Sequence, residues 1–376
     1  MLSFIYKNTF YIKLLRPNLF LYLTTLFFYL KLKMEINLIS DTVTKPSKEM
    51  LDMMMLADVG DDVFKQDPTV NQLEEKVAQM FGMQKALFFP SGTMTNQTAI
   101  KILTNPGDQL ICSKYSHVYN YEGGGVSFNS GVSCKLIEGE RGLFKAKDVF
   151  SHINPPDFYH SPKTSLICIE NTTNKGGGAC WDISELKKIK SICEKNNLFF
   201  HLDGARIWNA YVRNRISLIE YGNLFDTISV CLSKGLGCPI GSLLLTSDKF
   251  YEKALKIRKI LGGGMRQSGI LAACGLYALE NNIERLKYDQ YKATEIGDKL
   301  AKFEFIKKVE PVETNIVIFE LIDSFSSEYF QRQLQNNGIK IINMGDNKLR
   351  IVTHMDYTDE NHEYFLDSLE KIHLKS

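Results

Sequence analysis

The stretch 229-SVCLSKGLGCPIGSLLL-245 decides how this chain is read. An apolar run ends in Ser233-Lys234, a turn carrying Gly235, Gly237, Cys238, Pro239 and Gly241 follows, and a second apolar run starts at Ser242. Strands that are apolar on both sides belong in a sheet covered by helices on both faces. Such sheets take their ligands outside the carboxyl ends of the strands, and Lys234 falls at such an end. A desolvated lysine has a lowered pKa and can attack a carbonyl to form a Schiff base, and the flanking glycines let backbone or cofactor come close. The plain alternative is a solvated loop lysine, and this stretch alone does not separate the two.

Outward from here the chain alternates strand and helix. Runs 86–90, 109–113, 165–170, 198–203, 227–233 and 242–247 read as strands. "TMTNQTAIKIL" reads as a helix, and so does "WDISELKKIKSICEKNN", which opens on a capping-box-like Asp182 and Glu185 and carries the apolar stripe Ile183, Leu186, Ile189 and Cys193. This is α/β architecture, with a mostly parallel sheet between helices. A helix-rich stretch runs from Asp248 to about Phe303, after which "TNIVIFEL" and "KLRIVTH" suggest a small α+β domain. The expected division is a large domain over 34–285, with an N-terminal arm, and a small one over 286–376.

The chain has 376 residues, 44% hydrophobic and 23% charged, with a net charge of +2. That is length enough for two cores, and near-neutrality gives no case for nucleic acid. None of the eight cysteines forms a CxxC pair, so they read as free thiols in a reducing compartment. Residues 1–33 contain no acidic residue, and Phe20–Leu30 is nearly all apolar. The run is short for a membrane span and lacks a clear small-residue cleavage site. A leader outside the fold, or sequence upstream of a start at Met34, is expected there, with a cytoplasmic protein; an organelle signal or membrane tether is the alternative.

Four more motifs bear on chemistry. In "FFHLDGARIWNA", Asp203 closes an apolar strand, where a carboxylate is costly unless it meets a cation such as a protonated pyridine nitrogen; the alternative is a helix cap. Strand-Asp followed about thirty residues later by strand-Ser-Lys is more specific than either alone. "PSGTMTNQTA" places Ser91-Gly92-Thr93 between strand and helix, where backbone N–H groups can hold a phosphate. In "SHVYNYEGGG", His117 follows a strand and could stack on a flat ring, although a lone histidine is more often structural. "RKILGGGMRQSG" sets Lys259 and Arg266 around a triple glycine, as phosphate ligands or a basic surface.

Together with "SDTVTKP", "VGDDVF", "DPTVNQLE", "ENTTNKGGG" and "RIVTH", these motifs resemble the L-threonine aldolases over about residues 35–356. The resemblance implies pyridoxal-phosphate fold type I, with a mostly parallel seven-stranded sheet, and cleavage of threonine or allo-threonine to glycine and acetaldehyde. β-Elimination on another β-substituted amino acid is the alternative. It implies that Lys234 is the Schiff-base lysine, that Asp203 meets the pyridine nitrogen, that His117 stacks on the ring and that Gly92 and Thr93 hold the phosphate. Ser40, Arg206 and Arg350 would hold the substrate carboxylate, Arg206 also lying at the cofactor. His160, ten residues before Glu170, corresponds to a second active-site histidine. Lys259 and Arg266 would reach a neighbouring subunit's cofactor in a homo-oligomer, a dimer of dimers. No catalytic metal is implied. Two positions depart from the pattern: Ile39 stands where Arg is usual, and Thr173 where His is common.

Overall fold

The computed structural model describes residues 35–372, so the stretch 1–33 on which the leader expectation rests lies outside them. The strands are β1 (Ile36–Asn37), β2 (Lys85–Phe89), β3 (Gln109–Ser113), β4 (Ser133–Ile137), β5 (Thr164–Glu170), β6 (Phe199–Gly204), β7 (Thr227–Cys231), β8 (Ser242–Thr246), β9 (Ile306–Val309), β10 (Ile316–Leu321), β11 (Ile339–Lys340), β12 (Ile342–Gly345) and β13 (Lys348–Val352). Seven of them make the large sheet, in the order β2-β8-β7-β6-β5-β3-β4. Only β8 runs against its neighbours in it. The mostly parallel sheet expected from the continuous apolar runs is therefore present.

Alternation along each strand sends side chains to two faces. Ile111, Ile167, Phe200, Leu202, Ile228 and Leu243 pack into one buried cluster. Leu110, Cys112, Leu166, Cys168 and Leu244 pack into another. With roughly 1.5–3 kcal/mol gained per large apolar side chain fully buried, this two-sided packing fixes where the strands end, and with it where the site lies.

The expected helix after Trp181 forms over Ile183–Lys195, with Leu186, Ile189 and Cys193 buried. Asp182 caps it, its side chain accepting from Ser184 N. Glu185 does not close a capping box; it accepts from Ala146 N at 2.7 Å, tying this helix to the one before it in the chain. All eight cysteines are free thiols; Cys134 and Cys180 are half-buried and the rest buried.

The second core gathers Ala293, Ile296 and Leu300 with the apolar faces of β10, β13 and the C-terminal helix Asp359–Glu370, around a four-stranded sheet ordered β12-β13-β10-β9. It also contains Ile36 and Leu38, because β1 pairs in parallel with β11. The N-terminal arm, expected with the large domain, thus packs with the small one: a two-residue strand has too little apolar surface to signal its partner 300 residues away. No helix among the described residues is long and apolar enough to cross a membrane.

Candidate active site

Lys234 lies three residues past the end of β7, half-buried, in a turn closed by Gly237 N donating to Lys234 O at 2.8 Å. The glycines there have a steric cause. A Cβ on Gly235 would sit 2.8 Å from Leu286 Cδ2, and one on Gly237, whose φ is +76°, 2.8 Å from Met355 Cε. The turn passes between the first residue of the helix Leu286–Leu300 and the small domain's segment after β13, and the left-handed φ at Gly237 favours glycine there. This aims the lysine at the carboxyl edge of the sheet.

The register puts Asp203 opposite Ser229 on β7 and opposite Glu170 on β5. One carboxylate oxygen of Asp203 accepts from Ala205 N at 3.1 Å; the other, Oδ2, is buried and has no partner. An ionised oxygen left bare in the interior is costly, and a cationic ring N–H is the kind of donor that satisfies it. His117 follows β3, and its imidazole nitrogen, the Asp203 carboxylate and the Glu122 carboxylate lie within 4.8 Å of one another. The ring is placed to cover a flat group seated on Asp203.

The helix Gly92–Leu103 opens at the same edge. Its first N–H groups have no intrahelical acceptor; Ser91 takes one, from Met94 N at 3.2 Å. A Cβ on Gly92 would sit 3.5 Å from the hydroxyl of Ser242, itself buried and unpartnered. Free N–H groups, a spare hydroxyl and the helix end suit a phosphate. Lysine, bare carboxylate oxygen, covering histidine and phosphate seat all fit pyridoxal phosphate.

Arg350 Nη1 donates to Asn174 Oδ1 at 2.8 Å and Nη2 to the carbonyl of Ile39 at 3.0 Å, while its Nε is buried without an acceptor. The departure at Ile39 is thus met by its backbone. Ser40 is beside it and caps the turn 41–43, its hydroxyl accepting from Thr42 N at 3.2 Å. Arg350 and His117 line one cleft of about 470 Å³ with Tyr121, Asn174 and Lys175. Arg206 is engaged otherwise than expected. Its Nε and Nη2 fork onto Asp41 at 2.8 and 2.7 Å, both groups being buried, so its bidentate face is not open to a substrate carboxylate.

Three expected residues lie elsewhere. His160 is exposed, on the loop entering β5, while the site is at that strand's far end; a strand of this length spans on the order of 20 Å. Within one chain His160 therefore does not join Lys234. Lys259 is exposed near the end of the helix Asp248–Ile260, and Arg266 pairs with Asp61 at 2.8 Å on the surface.

The model of the β-eliminating lyases matches residues 37–324. The chain belongs to the β-eliminating lyase family. Among its relatives in this group, low-specificity L-threonine aldolase 1 of Arabidopsis thaliana is 37% identical over 344 residues, covering 89% of this chain and 96% of the relative. The low specificity L-threonine aldolase of Escherichia coli K12 is 38% identical over 330 residues, covering 86% and 95%. A solved threonine aldolase of Leishmania major superposes with a TM-score of 0.77 at 20% identity, covering 89% of this chain and 99% of that one, which shows the shared fold.

This β-eliminating lyase also contains site residues that the sequence reading passed over. Asp41 is held at about 2: burial opposes its charge, but the charge and hydrogen bonds of Arg206, the Lys234 ammonium and Asn315 outweigh it. Glu170 accepts from His117 N and Asn174 N at 2.9 and 2.7 Å; burial and the adjacent Asp203 nevertheless push it up to about 7. For His117, burial works against the imidazolium, but the hydrogen bond to Glu122 and the charges of Asp203, Glu122 and Glu170 prevail, and its pKa is raised. Asp41 stood in the open beside Ser40 in "SDTVTKP", and Glu170 in "ENTTN"; an acid within an otherwise apolar strand end was the available signal for Glu170.

Proposed function

We propose that this chain is a pyridoxal-phosphate lyase that cleaves threonine or allo-threonine to glycine and acetaldehyde, reversibly. The observation that carries the reading is the bare Oδ2 of Asp203 at the sheet edge served by the Lys234 turn. The names of its relatives supply the substrate. When bound, pyridoxal phosphate supplies a cationic ring able to take up the electron pair left as Cα–Cβ breaks. Lys234 would hold the cofactor covalently, Asp203 would pair with its ring nitrogen, and Gly92, Thr93 and Ser242 would grip its phosphate. Arg350, through its spare Nε, and Ser40 would clasp the substrate carboxylate and so fix which Cα bond is broken. His117 is placed to accept the β-hydroxyl proton, after which the hydroxyl carbon becomes the aldehyde carbon and Cα regains a proton.

A β-eliminating enzyme would release ammonia and a keto acid from the same amino acid. Purified protein loaded with pyridoxal phosphate and given L-threonine is expected to yield acetaldehyde and glycine in equal amounts; ammonia in place of acetaldehyde would overturn the reading. His117→Phe, which keeps a ring over the cofactor, is expected to lower kcat by roughly a hundredfold or more, the scale of a lost general base. His160→Phe, remote within the chain, is expected to stay within about threefold. Equal losses in both would return His160 to the site.

Assembly is part of the proposal. Met55, Leu56, Phe64 and Ile260 are 85, 78, 69 and 67% exposed. Gly264 lies near Val63, which puts the triple-glycine loop beside this apolar ground. These exposed apolar side chains are what supports the reading of a homo-oligomer in which Lys259 and Arg266 face a neighbour. Light scattering is expected to give a mass of two chains or more at assay concentration; an active monomer would refute it. Location in the cytoplasm remains the expected compartment, to be read from a fluorescent fusion of the full chain.

A further inference from the structure

The run Tyr121-Glu122-Gly123-Gly124-Gly125 carries a carboxylate with no role in the reading above. The Glu122 side chain is fully buried. Its Oε1 receives His117 Nδ1 at 3.0 Å and Asn96 Nδ2 at 2.8 Å, and its Oε2 receives Gln97 Nε2 at 2.7 Å. Each amide turns its oxygen away from Glu122. Gln97 Oε1 accepts from Asn129 Nδ2 at 3.1 Å. Asn96 Oδ1 faces His201 Nε2 at 3.1 Å, and His201 Nδ1 faces the Thr227 hydroxyl at 2.8 Å. Burial drives His201 down to about 4, so that ring is neutral, with one nitrogen donating and the other accepting. His201 Nδ1 also faces the Thr227 carbonyl, at 3.2 Å, so this ring does not by itself fix the order of donors; the Asn96 amide turns Nδ2 to Glu122 and Oδ1 to His201. With both amides donating, the Glu122 carboxylate is the acceptor of the His117 Nδ1 contact.

The glycines that follow have their reason here. Gly123 and Gly124 take φ of +63° and +73°, which turns the chain sharply after Glu122. A Cβ on Gly125 would lie 2.6 Å from Gln97 Cδ, so any larger residue displaces the amide that holds Oε2.

We propose that Glu122 is a positioning residue for the reaction: it fixes the proton of His117 on Nδ1 and so leaves Nε2 as the acceptor facing the cleft. The inference rests on the reading of His117 as the group that takes the β-hydroxyl proton. Among the described residues His117 Nε2 has no hydrogen-bond partner. Outer partners of a working histidine set its tautomer and orientation in this way. Asn96 and Gln97 sit on the same helix whose first turn forms the phosphate seat, so one helix grips the cofactor and locks the histidine.

The charged and titratable groups around His117 are Glu122 on its own loop, Glu170 at the end of β5, Asp203 at the end of β6, Tyr121 with its ring centroid 5.6 Å away, Lys175 over Tyr121, and Arg350 across the cleft. Glu122 supports the imidazolium, so its neutralisation in Glu122→Gln lowers the pKa of His117. The acid limb of kcat/KM is then expected to move to lower pH. Turnover is expected to fall by about 10–100-fold, the range known for the outer partners that orient metal-bound histidines. KM should change little, since Arg350 and Ser40 are untouched. Nitrogen-15 NMR of the holoenzyme labelled at histidine, read without substrate, is expected to show the Nδ1-protonated tautomer at His117 in the parent and its loss in Glu122→Gln. Because no turnover is involved, that signal decides the hydrogen-bond assignment even if the retro-aldol reading fails. Gly125→Ala, which only displaces Gln97, is the second variant and should move tautomer and acid limb the same way by a smaller amount. An unchanged tautomer in both variants would overturn the proposal, as would a changed tautomer with the pH profile and kcat of the parent.

Discussion

Lys234→Ala is expected to abolish turnover and, with it, the borohydride-fixable attachment of pyridoxal phosphate. The loss should reach on the order of 10⁴-fold or more, the scale on which removing a covalent nucleophile acts. The argument is geometric. Lys175 lies at the mouth of the cleft, its ammonium 5.1 Å from the centroid of the Tyr121 ring, whereas Lys234 approaches from the end of the strand next to Asp203. It stands three residues past the end of β7, the strand paired with the one that ends in Asp203-Gly204. The measurement is single-turnover and steady-state cleavage of threonine, with peptide mapping of the reduced adduct in the parent. A variant that keeps a tenth of the parent activity, or an adduct on another lysine, would refute the assignment.

Arg206→Met is expected to destabilise the fold by about 3–5 kcal/mol, the usual result of leaving one member of a buried ion pair alone. Asp41 is fully buried, and besides Arg206 it receives only neutral donors, Asn315 Nδ2 at 3.2 Å and the Ser40 hydroxyl at 3.4 Å. Denaturant unfolding reads the loss. The pH dependence follows from the sign of the Asp41 shift. Its folded value is about 2, below the ordinary 3.8, so the unfolded chain takes up the proton first. The pair's contribution, about 2 kcal/mol by linkage, is present above pH 4 and is lost as pH falls from 4 through 2. In Arg206→Met that acid-sensitive portion should disappear. Arg206→Lys is expected to rescue little, since an ammonium cannot match the two-pronged contact. A Met variant with parental stability at neutral pH would show that Asp41 finds compensation elsewhere.

Much of this was legible in the residues. Strands buried on both faces announce themselves as unbroken apolar runs, which is why β3, β5, β6, β7 and β8 read directly. The edge strand β4, "SCKLI", is half exposed and carries Lys135, so it has no such signal. The placement of Lys234, Asp203 and His117 after strands and of Gly92 at a helix start was visible, because these are places that sequence marks. The burial of Asp41 was not visible, because it depends on a guanidinium 165 residues away. For the same reason Arg206 read as open to substrate. Within one chain His160 shows the opposite effect: ten residues looked close to Glu170, yet most of them are the strand itself, which carries His160 to the other edge. The glycines after Glu122 carried no reading in the sequence, because the amide that Gly125 admits belongs to another element, the helix Gly92–Leu103.

The arm at the start of the described chain has one more consequence. Leu38 donates to Lys340 O and accepts from Val352 N, at 2.8 and 2.9 Å, and Ile39 O receives Arg350, so residues 36–39 ride with the small domain. Two residues later Asp41 is clamped by Arg206 of the large domain and by Asn315 of the small one. Ser40 is then the whole length of slack between the two bodies on that side, a few ångströms of chain at most. Swinging apart there would break either the strand pairing or the ion pair. The two cores are therefore stitched into one cooperative unit, and heating should melt them in a single calorimetric peak rather than in succession. Cutting the chain between Leu38 and Asp41 should split that peak in two.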